Sequence, residues 1–288
     1  MRRPAGRLFF PGTMPDHTSD TPESGPDICR TLAFWRVGDQ AFARAYDAAG
    51  DRGRAVIKTA LAALFEAAHP GRPPSLAMAA GFHSGLMRVE QLTPRPWFLL
   101  VIAPDVRSPS QVAAAVMPAL SLRIPVFAVR LGARSPWPPA VLAAFELAGV
   151  EQVFAPPKEH FTRFLKDLNE QDGGVACLGD RSFWESVRGL FPLKRRVHWL
   201  APPESAGLYH DPNTHWDDEI LRFAHAGLRF VEYGPKSQLQ GETPWAIFAP
   251  AAKAPPSAGL VLEPGCEALW DWPDMPESLF FSRRLIYS

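Results

Sequence analysis

The densest group of side chains that could do chemistry lies between residues 209 and 225. It consists of Tyr209, His210, Asp211, His215, Asp217, Asp218 and His225. Imidazole and carboxylate groups bind zinc or iron, so the candidate metal ligands are His210, His215 and Asp218. Their spacing matches no established metal site, and Asp217 and Asp218 also suit the N-cap of a following helix. The sequence therefore predicts a polar loop here, not a metal centre.

Thiol chemistry has few candidates in this chain. Cys29, Cys177 and Cys266 lie far apart and form no CxxC pair, which excludes a disulfide framework and a zinc-ribbon pattern. Cys266 has Glu263 and Glu267 as charged neighbours and no His or Lys beside it. Because a nucleophilic thiolate needs a base or a positive charge nearby, we expect Cys266 to be a structural thiol.

The overall composition limits the classes of function. Of 288 residues, 47% are hydrophobic and 21% charged, and 30 basic residues balance 30 acidic ones. This balance provides no global field that would recruit nucleic acid or an anionic membrane. No apolar run reaches the roughly 18–20 residues needed to span a bilayer, and Leu8-Phe9-Phe10 is too short for a signal peptide. We expect a cytoplasmic protein that binds neither nucleic acid nor membranes.

The chain divides into four predicted regions. Residues 1–27 are rich in Pro, Ser, Thr, Asp and Gly, a composition typical of a disordered tail. Residues 28–95 are predicted to be a helical N-terminal segment packed on the core, because their apolar residues recur at helical spacing. Residues 96–250 are predicted to form an α/β nucleotide-binding-like domain. Residues 251–288 are expected to add edge strands or a hairpin.

The central region alternates short apolar runs with amphipathic stretches. The candidate strands are Phe98–Ala103, Val126–Leu131, Gln152–Ala155, Val175–Leu178, Val197–Ala201, Arg229–Tyr233 and Ala246–Phe248. The candidate helices are Ser110–Leu122, Pro139–Ala148, Glu159–Asn169, Ser182–Leu190 and Asp217–Ala226. Apolar strands that alternate with helices are typical of a parallel sheet covered on both faces. We therefore predict an α/β fold with one doubly wound, mostly parallel sheet.

The order of these segments resembles the nucleotide-binding half of aldehyde dehydrogenases and histidinol dehydrogenases. Val116-Met117-Pro118-Ala119-Leu120, followed by a strand, is similar to the aldehyde dehydrogenase helix that ends in Pro-Ala-Leu before a cofactor-facing strand. Ala148-Gly149-Val150, after a Leu-Ala-Ala helix, resembles a histidinol dehydrogenase stretch. Leu178-Gly179-Asp180 resembles the strand and turn that carry the aldehyde dehydrogenase Gly-Ser-Thr signature. The resemblance covers residues 104–224 and implies a Rossmann-type fold.

The same resemblance places other residues where those families keep their chemistry. Val106 stands at the position of the oxyanion Asn, Trp199 at that of the base Glu, and Trp184 at that of the glycine beside the cofactor. Phe223 and Ala226 stand at the positions of the zinc-binding Gln and His. The nucleophilic Cys would fall within residues 230–237, which contain no cysteine. We therefore predict a catalytically degenerate dehydrogenase-like protein, a pseudoenzyme that binds a nucleotide, a small anion or a partner chain.

The alternative is an active NAD(P)-linked oxidoreductase that uses an unfamiliar site around His210, His215 and Asp218. Either function is compatible with NAD or NADP as a cofactor, and the sequence does not choose between these two nucleotides.

The expected ligand cleft lies at the carboxyl ends of the strands, where open α/β sheets bind ligands. The residues predicted to line it are Asp105, Arg107, Ser108, Arg130, Gly179, Asp180 and Ser182. Arg107 and Arg130 favour an anion, while Trp184 narrows the groove against a full dinucleotide. Trp270 and Trp272 are predicted to be an exposed aromatic pair through which the chain forms a homo-oligomer.

Overall fold

Three β-sheets organise the computed structural model, which describes residues 31–68, 76–132, 136–167, 172–191, 197–235 and 244–288. The strands are β1 (Leu76–Gly81), β2 (Met87–Pro94), β3 (Phe98–Ile102), β4 (Val126–Arg130), β5 (Gln152–Phe154), β6 (Gly174–Leu178), β7 (Val197–Leu200), β8 (Ser205–Tyr209), β9 (Arg229–Tyr233), β10 (Ala246–Phe248), β11 (Leu260–Leu262) and β12 (Phe281–Tyr287). The helices are α1 (Asp39–Ala68), α2 (Pro109–Ser121), α3 (Pro139–Ala148), α4 (Lys158–Asp167), α5 (Arg181–Val187) and α6 (Asp218–Ala224).

A five-stranded parallel sheet of order β5-β4-β3-β6-β7 forms the centre of the molecule. Every residue of β3, β4 and β6 is buried, as their continuous apolar sequences require. Phe98, Leu100 and Ile102 face a core built with α1, α2 and α3. Leu99 and Val101 face a second core built with α4 and α5. The predicted α/β class, with helices on both faces of a parallel sheet, is confirmed.

A second parallel sheet has the order β11-β10-β8-β9. The prediction of one sheet over residues 96–250 is therefore wrong, because Arg229–Tyr233 and Ala246–Phe248 pair with β8 and not with β7. Two prolines, Pro202 and Pro203, separate β7 from β8, and a proline has no N–H to continue a ladder. The chain thus leaves the first sheet here and starts a second one. The two sheets share one core through Phe248 and Leu208.

The third sheet is antiparallel, with the order β1-β2-β12. It corrects the prediction that residues 28–95 are helical, because residues 76–94 form the β1–β2 hairpin. Only the earlier part of that segment is helix α1, which bends where Gly50 adopts a φ of 62°. The C-terminal strand β12 lies at one edge of this sheet, and β11 lies at one edge of the second sheet. The proposed tail, residues 1–27, lies outside the described residues, and the division into domains stays a prediction.

The C-terminal segment places its two tryptophans in the core. Trp270 is fully buried and Trp272 is 7% exposed, with the indole N–H of Trp272 donating to the Gln111 carbonyl at 3.1 Å. Trp270 packs against Trp245 and Trp272. The prediction of an exposed aromatic pair at Trp270 and Trp272 is wrong, because burying an indole removes more apolar surface from water than any other side chain. Within the described ranges, no helix has the length and hydropathy that a bilayer crossing requires.

Candidate functional site

The carboxyl edge of the five-stranded sheet brings together most of the predicted cleft residues. β3 and β6 are neighbours in parallel register, with Ile102 opposite Leu178, and the Ala103 N–H donates to the Leu178 carbonyl at 2.9 Å. The loops that follow these two strands therefore lie side by side. One loop carries Asp105, Arg107 and Ser108, and the other carries Gly179, Asp180 and Ser182. The shared edge was predicted from strand order, and the register accounts for it.

Two of these side chains are used to begin helices. The Ser108 hydroxyl accepts a hydrogen bond from the Gln111 N–H at 3.1 Å and donates to the Ala224 carbonyl at 2.7 Å, and the residue is 2% exposed. The Asp180 carboxylate accepts from the Phe183 N–H at 2.7 Å. Both are N-caps. Because Ser108 is buried and has both partners within the protein, it does not face a ligand.

Arg130 is also turned inward. Its guanidinium donates to the carbonyls of Pro136, at 2.7 Å, and Pro104, and lies 5.6 Å from the Trp137 ring centroid. Burial lowers the pKa of Arg130, and the nearby positive charge of Arg107 lowers it further, while Asp105 opposes both effects. Arg130 is 3% exposed, so its predicted role as a cleft-lining ligand contact is corrected to a structural one. Asp105, Arg107 and Ser182 remain exposed at this edge.

Two tryptophans stack on each other near Gly179 at the same edge. Trp184 of α5 stacks on Trp199 of β7, with ring centroids 6.1 Å apart and planes 5° from parallel. The Trp199 indole N–H donates to the Gly179 carbonyl at 2.8 Å. A Cβ added at Gly179 would come within 2.6 Å of the Ala103 side chain and of Phe183. The Gly179 backbone is thus packed against protein atoms, and the Trp199 indole is bonded to its carbonyl.

In the 209–225 loop, Asp211 and Asp217 accept hydrogen bonds from residues two or three positions further along the chain. The Asp211 carboxylate accepts from the Asn213 N–H at 2.8 Å and from the Thr214 hydroxyl at 2.9 Å, and these bonds, the first above all, lower the Asp211 pKa. Asp217 caps α6 by accepting from the N–H groups of residues 219 and 220. The prediction of N-cap chemistry is therefore confirmed at Asp217.

The structure does not join the three candidate metal ligands. His210 lies 3.9 Å from the Glu232 carboxylate, measured from its Nε2, while Asp218 pairs with Arg222 at 3.5 Å and His215 is exposed. Over the part of the chain that the structure describes, no three His, Cys, Asp or Glu side chains form a group that could hold a metal ion.

His225 and Cys177 lie in the core. The His225 ring is 1% exposed, its Nε2 lies 2.9 Å from the Glu267 carbonyl, and burial lowers its pKa to about 4. Its tautomer therefore has the proton on Nε2, which donates to that carbonyl. Cys177 is buried in β6, and burial raises the pKa of its thiol. At neutral pH neither side chain is charged, and neither faces the carboxyl edge as an acid, a base or a nucleophile.

Two open cavities lie against α1, and the second of them is also lined by Pro136 and Trp137, which follow β4 at the carboxyl edge. Each has a volume of about 660 Å³. One is lined by Arg36, Asp39, Phe42, Ala43, Tyr46, Asp47, Glu146 and Glu151. The other is apolar and lies between the start of α1 and the start of α3. The first cavity, which is lined mostly by the N-terminal helix, counts against a ligand site at the sheet edge, whereas the second borders that edge. Sequence reasoning missed them, because their walls join residues about 100 positions apart.

Comparisons with known proteins concern the fold. No protein-family model matches the chain, and no curated protein matches it. Similar solved structures include a histidinol dehydrogenase from Elizabethkingia anophelis (13% identity, 72% of this chain and 52% of that chain, TM-score 0.47). They also include an indole-3-acetaldehyde dehydrogenase in its apo form (13% identity, 91% of this chain and 87% of that chain, TM-score 0.41). A third is a succinate-semialdehyde dehydrogenase from Burkholderia pseudomallei (15% identity, 72% of this chain and 43% of that chain, TM-score 0.38).

This chain spans about half the length of that histidinol dehydrogenase. The solved structures to which it is similar thus include members of the two families that the sequence resembles.

Proposed function

We propose that this chain is a dehydrogenase-like protein without dehydrogenase chemistry, which acts by binding a nucleotide fragment or another small anion. The observation that carries the proposal is the Trp184–Trp199 stack at the carboxyl edge of the five-stranded sheet. Ligands of open α/β sheets bind at this edge. Two indoles that fill part of it, with one of them bonded to the Gly179 carbonyl, leave less room for an extended dinucleotide.

The groups that dehydrogenase chemistry would need also support this proposal. Val106 is buried where the resemblance implies an oxyanion donor, and an isopropyl group cannot donate a hydrogen bond. Trp199 stands at the position of the general base and carries no titratable group. Among the described cysteines, Cys177 is buried and Cys266 has neither His nor Lys beside it in the chain. A thioester intermediate therefore has no activated thiolate.

The donor groups that remain at the edge fit a small anion. Arg107 is exposed there, and its guanidinium offers a fork of donors to a phosphate or carboxylate. Asp105 and the N-cap Asp180 balance Arg107 and the buried Arg130 in net charge, so the proposal rests on these donors and not on an excess of positive charge. The ligand proposed for this site is therefore small and anionic, with Asp105, Asp180 and Ser182 at its border and NAD or NADP held weakly, if at all.

The alternative, an active NAD(P)-linked oxidoreductase around His210, His215 and Asp218, gains no support from the geometry. Each of the three has a separate environment, as described above. This alternative makes a different prediction, since His215→Ala would then abolish a measurable turnover.

The test of inactivity is a turnover assay of the purified chain with NAD or NADP and aldehyde, acyl-CoA and histidinol substrates. We expect no rate above background, because the loss of a single oxyanion donor, base or nucleophile costs orders of magnitude. A turnover of roughly one per second with any of these substrates would contradict the proposal.

The test of binding is calorimetric titration with NAD, NADP, AMP and pyrophosphate. We expect AMP or pyrophosphate to bind more tightly than NAD, and Arg107→Ala to weaken that binding roughly tenfold, by about 1.4 kcal/mol. Arg229→Ala, which removes an exposed arginine at the start of β9, is the matched control and should change nothing. Trp184→Ala should raise the affinity for NAD relative to AMP. Equal binding by the Arg107→Ala variant would place the ligand elsewhere, for which the cavities along α1 are the rival location.

A further inference from the structure

The two cavities on α1 differ in the charges of their walls. Each has a volume of about 660 Å³, which is the size of a small-molecule site. The first cavity is lined by four carboxylates and one arginine: Asp39, Asp47, Glu146, Glu151 and Arg36. The second cavity has Arg44 as the one charged side chain among the described residues that line it. Its other walls are apolar and include Val37, Ala41, Ala45, Trp137, Pro139 and Leu142.

The walls of the second cavity are held in place by the parallel sheet. Ahead of α1, the Val37 N–H donates to the Val153 carbonyl of β5 at 2.8 Å. Ahead of α3, the buried Arg130 guanidinium of β4 donates to the Pro136 carbonyl at 2.7 Å. Both walls are therefore fixed before a ligand enters, and little ordering of the protein opposes binding.

Three polar features of this cavity favour a negatively charged group. Arg44 is exposed and forms no hydrogen bond or ion pair with another residue that the structure describes. Helix α3 begins at Pro139 with neither a side-chain cap nor an acidic residue in its first turn, so its partial positive charge is not compensated there. The Trp137 indole N–H is buried and has no hydrogen-bond partner among the described residues. A buried donor without a partner is uncommon, and an acceptor from a ligand would satisfy it.

We propose that the second cavity binds an apolar monocarboxylate, such as a fatty acid of medium length. The carboxylate lies between Arg44 and the N-terminus of α3, since a guanidinium and a helix N-terminus both bind this group. The hydrocarbon chain lies against the apolar walls, which removes it from water. This site is separate from the anion site proposed at Arg107 and takes a different class of ligand.

The charges around α1 argue for a single carboxylate. One guanidinium balances one negative charge, whereas a phosphate monoester carries nearly two and would leave charge without a partner in an apolar cavity. The carboxylates Asp39, Asp47 and Glu146 line the first cavity and would repel the same ligand there. The apolar monocarboxylate therefore has one favourable position along this helix.

The first experiment is calorimetric titration with hexanoate, octanoate and decanoate at constant ionic strength. Each added methylene should raise the affinity up to roughly fourfold, because it buries more apolar surface. Octylammonium and octan-1-ol keep the chain and change the head group, and each should bind at least roughly tenfold more weakly than octanoate. Equal affinities for the three head groups, or no binding of decanoate at about 1 mM, would overturn the proposal.

A pair of variants on α1 tests the cavity walls. Ala41→Phe places a ring in the second cavity and should weaken octanoate binding at least roughly tenfold. Ala43→Phe is the matched control, because it places the same ring on the side of α1 that lines the first cavity, and it should leave octanoate binding unchanged. Circular dichroism establishes that both variants are folded. Unchanged octanoate binding in Ala41→Phe would overturn the proposal.

A second pair of variants tests the charge. Arg44→Gln should weaken octanoate binding roughly tenfold and leave octan-1-ol binding unchanged, since only the carboxylate uses the guanidinium. Lys58→Gln removes an exposed positive charge further along the same helix and should leave octanoate binding unchanged. Equal losses in these two variants would assign the effect to general electrostatic attraction and overturn the proposed contact.

The indole resonance of Trp137 reports where octanoate binds. In isotope-labelled protein this peak, assigned by its loss in Trp137→Phe, should shift with the same dependence on octanoate concentration as the calorimetric signal. A peak that stays in place at saturating octanoate would locate the ligand elsewhere and overturn the proposal.

A double comparison separates this site from the anion site of the proposed function. Arg44→Gln should weaken octanoate binding and keep AMP binding, whereas Arg107→Ala should weaken AMP binding and keep octanoate binding. If AMP fails to bind the wild-type chain while octanoate binds, the proposed function alone is contradicted. Loss of octanoate binding in Arg107→Ala would overturn the proposal of a separate carboxylate site.

Discussion

The five-stranded parallel sheet and the three-stranded antiparallel sheet of this protein are opposites in burial. All five residues of β3 are buried, whereas no described residue of β1, β2 or β12 is. The parallel sheet has a helical layer on each face, and its side chains are removed from water by the chain itself. None of the described helices covers the antiparallel sheet in this way. The difference indicates that the parallel sheet sets stability, while the antiparallel sheet contributes little buried surface.

The largest expected effect is on the central strand of the parallel sheet. Leu100→Ala removes a fully buried side chain that faces the core made with α1, α2 and α3, and should lower the free energy of unfolding by about 4 kcal/mol. Urea denaturation followed by circular dichroism measures it. A loss under about 1 kcal/mol would mean that this sheet does not dominate stability.

The next effect is a dependence of stability on pH that comes from the buried core. Burial lowers the pKa of His225 to about 4 from its usual 6.5, so the unfolded chain takes up a proton that the folded chain excludes. Stability from this residue is therefore complete above pH 6.5 and falls as the pH drops toward 4, by about 3 kcal/mol in total. Denaturation curves recorded between pH 7 and pH 4 measure the slope.

His225→Gln keeps a donor for the Glu267 carbonyl but does not titrate, so it should flatten this slope. His83→Gln, at the exposed turn of the β1–β2 hairpin, is the control and should leave the slope as in the wild type. An unchanged slope in His225→Gln would assign the pH dependence to other groups.

A smaller effect on stability is expected at the N-cap of α2, which follows the carboxyl end of β3. Ser108→Ala removes the N-cap of α2 and the donor to the Ala224 carbonyl, and should cost about 1 to 2 kcal/mol. Ser282→Ala on β12 is the matched change in the open sheet and should cost less than about 0.5 kcal/mol. The melting temperatures of the two variants measure the two losses of stability. Equal losses would contradict the difference in burial between the two sheets.

The smallest effect is expected on the open sheet. Leu285→Ala shortens a side chain that is 42% exposed, and should change the free energy of unfolding by less than about 0.5 kcal/mol. A loss above about 2 kcal/mol would show that this face is covered within a single chain, which would break the comparison with Leu100.

Much of the parallel sheet could be predicted because its signals are local. The apolar run Phe98–Ile102 needs burial on both faces, Ser108 and Asp217 supply acceptors for free N–H groups, and Gly149 takes the left-handed conformation at a helix end. Each of these features depends on a few neighbouring residues. The strand β8 was missed, because Ser-Ala-Gly-Leu-Tyr has neither alternation nor a continuous apolar run.

The antiparallel sheet and the candidate site could not be predicted in the same way. The sequence of β1, which is rich in Ala with one Leu and one Met, favours a helix when isolated, and pairing with β2 overrides that preference. At the candidate site, Arg130 was predicted to face a ligand, but the carbonyls of Pro104 and Pro136 hold it inside. Those contacts depend on the packing of loops that are separate in the chain.

The sequence by itself thus determined the α/β class, the parallel strands of the first sheet and the helix caps. The tertiary structure alone decided that the described strands form three sheets, that Trp270 and Trp272 are buried, and that Trp184 stacks on Trp199. The physical reason is the distance along the chain over which each kind of interaction acts. Periodicity and capping arise from residues within a turn or two of one another, whereas strand neighbours and burial depend on contacts between residues far apart in the chain.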